Sequence, residues 1–457
     1  MPFVPHTYED EKFMLDTIGV NTIEDLFDEI PENLRAGELS QIPDGVSEME
    51  LLRLMHERAE RDEVALSFLG AGAYEHHIPA AVWDLTSRGE FLTAYTPYQA
   101  EASQGLLQLI YEYQTMISRL TAMDVANASV YDGASAMAEA MLMAVRANRK
   151  SKSKKILCAG NVHPRYLKAC RTIVRNQRID IDIIDWDLDS GNLDTNSLGS
   201  GEDYAALVIS YPNFFGGLED VNSLTDWAHQ EGALVIAVVN PMSLGLLKPP
   251  GNWGSDGADI VVGEGQPFGI PVSSGGPYLG IMCCRKSIVR QMPGRIVGRT
   301  TDLDGKEGFT LTLQAREQHI RRAKATSNIC TNQGLLVTAA TIYMSLMGDE
   351  GIYEVAKQSH QGLVKLLKTA SRLPGVESRF PGAHFHEAAL KLPVTAKKIL
   401  AGMAEQGILG GYDLGQFSEE LEDCVLVNVT ETKTAEDIEK FVTCLASVLG
   451  VRSNADL

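Results

Sequence analysis

The chain has 457 residues, a formal net charge of −20 at pH 7 and 44% hydrophobic residues. A chain of this length can bury a sizeable core, and we expect two or more domains. The acidic balance argues against a nucleic-acid or anionic-membrane partner, because both require clustered Lys and Arg. No apolar run in the sequence approaches the roughly 18 residues of a membrane span.

Cysteine usage and the N-terminal sequence predict a cytoplasmic protein. Seven cysteines are present and none forms a C-x-x-C pair, which favours reduced, buried thiols over a disulfide framework. The N-terminal sequence is acidic and amphipathic and lacks the pattern of a secretory or organellar signal. The adjacent pair His76–His77 is a weak metal signal, because neighbours in sequence rarely coordinate together. We therefore predict no metal site.

Three domains are predicted along the chain. Residues 1–62 are interpreted as a helical arm that wraps a neighbour or the main domain. Residues 63–350 are predicted to form a large α/β domain with a mostly parallel sheet, and residues 351–457 a small C-terminal α/β domain. The helix patterns of the arm are Tyr8–Asp16, Thr22–Glu29 and Glu48–Asp62.

The sheet of the large domain is predicted from continuous Val, Ile and Leu runs, which are typical of strands covered by helices on both faces. The passage 285–328 is interpreted as basic and turn-rich. The predicted strands are Lys155–Ala159, Asp180–Trp186, Ala205–Ser210, Leu234–Val239, Asp259–Val262 and Tyr278–Cys284. The predicted helices are Ser103–Thr121, Ala134–Arg149, His163–Gln177, Val221–Gln230 and Gln333–Met347.

The small domain repeats the alternation of helix and strand. Its predicted helices are Ile352–Ser371, Ala396–Gln406 and Thr434–Leu449. Its predicted strands are Val376–Phe380, His384–Leu392 and Cys424–Thr430.

One helix start in the large domain is of chemical interest. Backbone N–H groups near Gly133, at the start of the Ala- and Met-rich helix, could bind an anion or form an ordinary helix cap. The sequence leaves both possibilities open.

A glycine-rich loop, GEGQPFGIPVSSGG, follows the predicted strand that ends at Val262. Its glycine spacing is similar to a dinucleotide fingerprint, but Pro267 and Pro271 prevent the helix that such a fingerprint must open. A large α/β domain followed by a small one also suggests a pyridoxal-phosphate enzyme. Such an enzyme needs a Schiff-base lysine and an acid for the pyridinium nitrogen. The loop contains no lysine, and the preceding strand, ALVIAVV, contains no acid.

Three motifs connect the chain with a known family: YTPYQAEASQG, GEGQPFGIPVSSGGPYLG and RRAKATSNICTNQG. With them, the chain resembles the N-terminal-half chain of the P-protein of the glycine cleavage system, over essentially its whole length. The resemblance implies the aspartate-aminotransferase-like fold of pyridoxal-phosphate enzymes (fold type I). It also implies an enzyme that decarboxylates glycine on pyridoxal phosphate and passes the aminomethyl group to the lipoyl arm of H-protein.

The resemblance further implies a second, homologous subunit as partner, in an assembly of two plus two chains. It places Gln266 at the position of the partner's lysine and Ala237 near the position of the acid. Glutamine cannot form an imine, so the partner would hold the cofactor covalently. No catalytic residue is then expected on this chain alone.

In this fold, active sites lie at an interface and take residues from both chains. The resemblance therefore gives this chain candidate contacts in the partner's site, with interface packing as the alternative for the two tyrosines and helix capping for Thr326. Glycine and cofactor contacts are predicted for Tyr95, Thr96, Pro97, Tyr98 and Gln99, with Tyr74, Glu75 and His76 at the same entrance. Cofactor-phosphate contacts are predicted for Thr326, Ser327 and Asn328. Arg316, Arg321 and Arg322 could meet an anionic partner or simply cover the surface, and surface positions are predicted for them.

Two other functions stay open. The chain could be a self-contained pyridoxal-phosphate enzyme that uses a lysine elsewhere, such as Lys324 or Lys248. It could also be a structural pseudoenzyme that stabilises the lysine-bearing subunit and adds nothing to the active site.

Overall fold

The computed structural model describes residues 5–35, 37, 40–62, 65–92, 95–199 and 203–451. The chain forms two compact units, residues 1–63 and residues 64–457. The division into three domains remains a prediction.

The first unit is a short helical segment in which none of the described side chains is buried. Its helices, α1 (Tyr8–Ile18) and α2 (Glu48–Ala59), each begin with a capping box, which satisfies free N–H groups of the first turn. The predicted helix Thr22–Glu29 is wrong: only a 3₁₀ turn at Glu24–Phe27 forms. Asp25 accepts the N–H groups of Asn21 and Thr22, which precede this turn, and such local side-chain bonds compete with a regular helix.

The second unit contains the remaining helices and all of the described strands. Its helices are α3 (Ala80–Thr86), α4 (Gly89–Leu92), α5 (Gln104–Thr121), α6 (Gly133–Ala147), α7 (Pro164–Val174), α8 (Val221–Gln230), α9 (Gln318–Arg321), α10 (Gly334–Ala370), α11 (Ala396–Ala404) and α12 (Ala435–Leu449). Its strands are β1 (Leu66–Ser67), β2 (Val125–Ala126), β3 (Lys155–Ala159), β4 (Asp180–Ile184), β5 (Ala206–Tyr211), β6 (Leu234–Val239), β7 (Ile260–Glu264), β8 (Gly280–Cys284), β9 (Ile296–Thr301), β10 (Glu307–Thr312), β11 (Glu377–Ser378), β12 (Glu387–Lys391), β13 (Ile408–Leu409), β14 (Tyr412–Asp413) and β15 (Cys424–Asn428).

The main sheet has the strand order β2-β8-β7-β6-β5-β3-β4. Strands β7, β6, β5, β3 and β4 run parallel, and β8 is antiparallel to β7. All six strands predicted for this sheet are present, with ends shifted by up to two residues. Strands β5 and β7 are buried along their whole length, as expected for strands packed between helices.

A second sheet, β11-β12-β15-β14, is antiparallel and lies in the C-terminal part of the chain. The short strand β1 pairs in parallel with β13, and the ring of Phe68 packs at a tilt against that of Phe441, with centroids 4.6 Å apart. The segment that contains Phe68 therefore packs onto the C-terminal helices and strands.

Two features refine the predicted element list. Helix α10 joins the predicted helices Gln333–Met347 and Ile352–Ser371, and it kinks at Gly348, whose φ of 61° interrupts the helical backbone. Strands β9 and β10 form an antiparallel hairpin inside the turn-rich passage 285–328, where the sequence pattern indicates no particular element. None of the described helices is long and apolar enough to cross a membrane.

Candidate functional site

The glycine-rich loop lies at the carboxyl end of the main sheet, where open α/β sheets bind ligands. Strand β7 runs two residues further than predicted and ends at Glu264, and no helix follows it. The loop therefore lacks the helix N-terminus of a dinucleotide site, which agrees with the effect expected of its two prolines.

Gln266 is 1% exposed and every polar atom of its amide is bonded. Its Oε1 accepts the N–H of Tyr74 at 2.9 Å, and its Nε2 donates to the carbonyls of Tyr74 at 2.9 Å and Ile270 at 2.8 Å. The Gln266 side chain, predicted to stand at the position of the partner's lysine, thus joins the loop to the segment around Tyr74. Ala237 is fully buried in β6 and has no titratable group.

Glu264 occupies the helix start that the sequence left open. Its Oε2 accepts the N–H of Gly133, the first residue of α6, at 2.9 Å. Its Oε1 accepts the N–H groups of Gln266 at 3.1 Å and Leu279 at 2.8 Å. Burial raises the pKa of Glu264 to about 8, although its three backbone N–H donors favour the charged form. A carboxyl group of the protein therefore fills this anion position.

The cavity at this end of the sheet has a volume of about 70 Å³. We call it the sheet-end cavity; it is lined by Gly72, Tyr74, His163, Tyr166, Ser210, Pro212, Asn213, Phe214, Val238, Val239, Asn240, Glu264 and Glu387. Sites for small molecules are typically about 300–1,000 Å³. None of these lining residues is a lysine, and the helix start that would suit a phosphate carries a carboxyl group. The residues present do not fit pyridoxal phosphate.

Tyr74 and His76, predicted at the entrance of the partner's site, make contacts within this chain. The Tyr74 hydroxyl donates to Glu387 Oε2 at 2.6 Å, and the N–H of Ala71 donates to Glu387 Oε1 at 2.7 Å. His76 Nδ1 lies 2.8 Å from Glu431 Oε2. Burial raises the pKa of Glu387 to about 7.

Glu75 also makes its contact within this chain, because its carboxylate lies 2.6 Å from the Nζ of Lys433. The three residues predicted at the entrance therefore tie the 70–77 segment to the C-terminal part of the chain. Their predicted role in the partner's site stays a prediction.

Residues 95–99, which we call the Tyr98 loop, present two tyrosines to solvent. Tyr95 is 74% exposed and Tyr98 is 70% exposed, whereas Pro97 is buried. The loop precedes α5, where Gln104 exchanges two 2.8 Å hydrogen bonds with the backbone of Phe309 in the β9–β10 hairpin. Large exposed aromatic side chains on an anchored loop are typical of a contact surface.

Thr326, Ser327 and Asn328 lie in an irregular passage before α10. The N–H of Thr326 donates to the carbonyl of Arg316 at 2.9 Å. Helix α10 begins at Gly334 with Gln333 at its N-cap, so Thr326 does not cap it. Asn328 is exposed, whereas Thr326 and Ser327 are half-buried.

The surface position predicted for Arg316 is wrong. Its side chain is 9% exposed, and it donates to the carbonyls of Leu313 at 3.0 Å and Gly294 at 2.9 Å. These bonds hold the turn after β10, which explains the burial. Arg321 and Arg322 are exposed, as predicted.

Sequence reasoning missed Glu264, Glu387 and Arg295, all of which are buried. Arg295 donates to residues 330–332 and faces the ring of Tyr98. Of the three, only Glu264 could have been found from the sequence, since this acid lies two residues after the apolar strand run that ends at Val262. The partners of Glu387 and Arg295 are far away in sequence, and no local pattern indicates them.

Comparison with solved structures gives the class of protein. The structure matches a crystal structure of glycine decarboxylase (P-protein) of the glycine cleavage system in inhibitor-bound form, with a TM-score of 0.87 and 40% identity over 98% of this chain and 100% of that chain. It also matches Lactobacillus brevis glutamate decarboxylase with a TM-score of 0.68 and 13% identity, over 94% and 99% of the two chains, a likeness of fold alone. The protein has the aspartate-aminotransferase-like fold, fold type I of the pyridoxal-phosphate enzymes.

Sequence comparison narrows this class. The family described as "Glycine cleavage system P-protein" matches residues 1–445. The chain is 60% identical over 451 residues to the probable glycine dehydrogenase (decarboxylating) subunit 1 of Nitrosomonas europaea, covering 98% of this chain and 99% of that protein. The chain belongs to the glycine cleavage system P-protein family. The family and fold class predicted from the three motifs are confirmed.

Proposed function

We propose that this chain is the subunit of a glycine-decarboxylating enzyme that completes an active site held by its lysine-bearing partner. The observation that carries the proposal is Gln266, which stands at the lysine position with its amide fully bonded inside the chain. Since the sheet-end cavity does not fit the cofactor, the chemistry has to take place in another chain.

The cofactor of the assembled enzyme is pyridoxal phosphate, held covalently by the partner subunit. When bound, it supplies an electron sink for the loss of CO₂ from glycine. The two lysines considered as alternatives lack the surroundings of a cofactor lysine. Lys248 is exposed and its Nζ donates to Asn222 at 2.8 Å, and Lys324 is also exposed. Neither lines the sheet-end cavity.

This chain's share of the work is binding and orientation. The phenols of Tyr95 and Tyr98 and the amide of Gln99 hold and orient the glycine carboxylate in the partner's site, and none of them needs to change its charge near pH 7. The exposed rings exclude water from that site once the two chains associate. At Thr326 the backbone N–H is already bonded within the chain, so the hydroxyl is the donor that remains for a phosphate oxygen.

The assembled enzyme contains two copies of each subunit and passes the aminomethyl group to the lipoyl arm of H-protein. The matched relative is named as subunit 1, and a numbered subunit supports a partner chain. The predicted cytoplasmic location belongs to the same proposal.

Three substitutions in the assembled enzyme test the proposal: Tyr95→Phe, Tyr98→Phe and Thr326→Ala. Each removes one hydroxyl group, and we expect at least one to lower kcat/KM for glycine tenfold or more, about 1.4 kcal/mol of transition-state stabilisation. Tyr353→Phe on α10 is the matched control, since this tyrosine is also exposed at the surface. Wild-type kinetics in all three variants would favour a purely structural subunit.

A further inference from the structure

We propose that Arg295 is a positioning residue that fixes the Tyr98 loop against residues 330–332, so that this chain's two groups of contacts meet the partner's site together. The inference deepens the proposed function and rests on it. Arg295 itself is not expected to touch glycine or the cofactor.

The first observation is the hydrogen bonding of the guanidinium group. Arg295 is 5% exposed. Its Nη1 donates to Thr331 Oγ1 at 2.7 Å and to Asn332 Oδ1 at 3.2 Å, and its Nη2 donates to the carbonyl of Cys330 at 3.2 Å. Three consecutive residues are thus held by one planar group, which a lysine ammonium cannot reproduce.

The second observation is the contact with the Tyr98 loop. The Cζ atom of Arg295 lies 5.9 Å from the centroid of the Tyr98 ring, within the range of a cation–π interaction. The ring is otherwise 70% exposed. A ring with so little packing of its own depends on such a contact for its orientation.

The third observation is the rigid scaffold that Arg295 shares with the same three residues. The backbone carbonyl of Arg295 accepts the N–H of Ala128 at 2.8 Å, and the Asn332 amide donates to the carbonyl of Ala128 at 2.9 Å. The N–H of Cys330 donates to the Tyr131 hydroxyl at 3.0 Å. Residues 128–131 therefore hold both Arg295 and the 330–332 segment to which it donates.

The chemistry of these contacts favours positioning over an ion pair. All the hydrogen bonds described for the guanidinium go to neutral groups: a hydroxyl, an amide oxygen and a backbone carbonyl. The guanidinium group therefore orients the Tyr98 ring through its charge and residues 330–332 through its hydrogen bonds. Thr326, Ser327 and Asn328 precede this bonded stretch by only a few residues, so loosening it would also loosen them.

The test uses Arg295→Met and Arg295→Lys in the assembled, cofactor-loaded enzyme. Arg295→Met removes both the planar group that donates the three hydrogen bonds and the positive charge. Arg295→Lys keeps only the charge. We expect both to raise the glycine dissociation constant, measured from the cofactor absorbance, with at least a tenfold rise for Arg295→Met. We also expect faster trypsin cleavage at the exposed sites Arg321, Arg322 and Lys324, while association with the partner is retained.

The matched control is Arg299→Met, on strand β9 nearby, where the side chain is exposed and pairs with Glu307 at the surface; glycine binding should not change. If Arg295→Met fails to fold, Arg295→Lys decides. Wild-type glycine affinity in the folded Arg295 variant would overturn the inference.

A Tyr98→Ala variant separates this failure from failure of the proposed function. If Tyr98→Ala weakens glycine binding and the Arg295 variants do not, only the positioning role is wrong. If neither weakens it, the contribution of the Tyr98 loop to the partner's site fails as well. If both weaken it, the double variant should cost less than the sum of the single effects, because Arg295 acts through Tyr98.

Discussion

At the scale of single residues, the buried amide of Gln266 joins two distant parts of the chain. The amide accepts one N–H and donates to two carbonyls, and two of these three bonds reach Tyr74. That Gln266 stands at the position of the partner's lysine is a prediction from the family resemblance. Its hydrogen bonds to Tyr74 could not be predicted, since Tyr74 lies 192 residues away in the chain and no local pattern encodes such a contact.

Restoring the lysine should therefore not restore the cofactor. Gln266→Lys removes the acceptor of the Tyr74 N–H and buries an ammonium group, and we expect a loss of about 2–4 kcal/mol in the free energy of unfolding. The sheet-end cavity remains too small and retains Glu264. Urea denaturation measures the stability, and peptide mapping after borohydride reduction with added pyridoxal phosphate measures attachment.

The control for this substitution is Gln108→Lys, at an exposed position on α5 four residues before Glu112, where a lysine is harmless. Stoichiometric labelling of the new lysine at position 266 would contradict the view that this site cannot hold the cofactor.

At the scale of elements, a strand could be predicted where its own residues form a recognisable pattern, and not where it depends on distant contacts. The strands of the main sheet are continuous apolar runs because helices cover both faces, so composition alone locates them. The β9–β10 hairpin mixes apolar residues with Gly, Thr, Arg and Glu and lies largely outside the buried core. Its order depends on pairing and on Gln104 of α5, which a local pattern does not contain.

Glu387 of β12, which accepts hydrogen bonds from Ala71 and Tyr74, predicts that the free energy of unfolding depends on pH. Burial raises the pKa of Glu387 from 4.5 to about 7, so the folded chain binds the proton more tightly than the unfolded chain. The stabilisation is then complete below pH 4.5 and is lost as the pH rises through 7. Its size is about 3 kcal/mol.

Glu387→Gln should remove this dependence, since the amide has almost the same shape and can still accept the N–H of Ala71. Urea denaturation at pH 5 and pH 8 should show that the wild type loses stability relative to the variant at the higher pH, because only Glu387 ionises. The control is Glu377→Gln on β11, an exposed position paired with Lys391. An equal difference at both pH values would contradict the assignment.

At the scale of the whole molecule, the chain is built to work with a partner. Its cavity at the end of the sheet is small, Tyr95 and Tyr98 are exposed, and none of the described side chains of residues 5–62 is buried. The motifs predicted the fold and the family. They could not predict the contacts of Glu264 and Gln266, because these residues find their partners only in the folded chain.

The central claim is that this chain completes an active site whose cofactor is attached to the other subunit. The most direct test is borohydride reduction of the assembled, glycine-decarboxylating enzyme, followed by peptide mapping of both chains. We predict a pyridoxyl-lysine on the partner subunit only, and no glycine decarboxylation by either chain until the two are mixed. A pyridoxyl-lysine on this chain, or decarboxylation by this chain alone, would contradict the account.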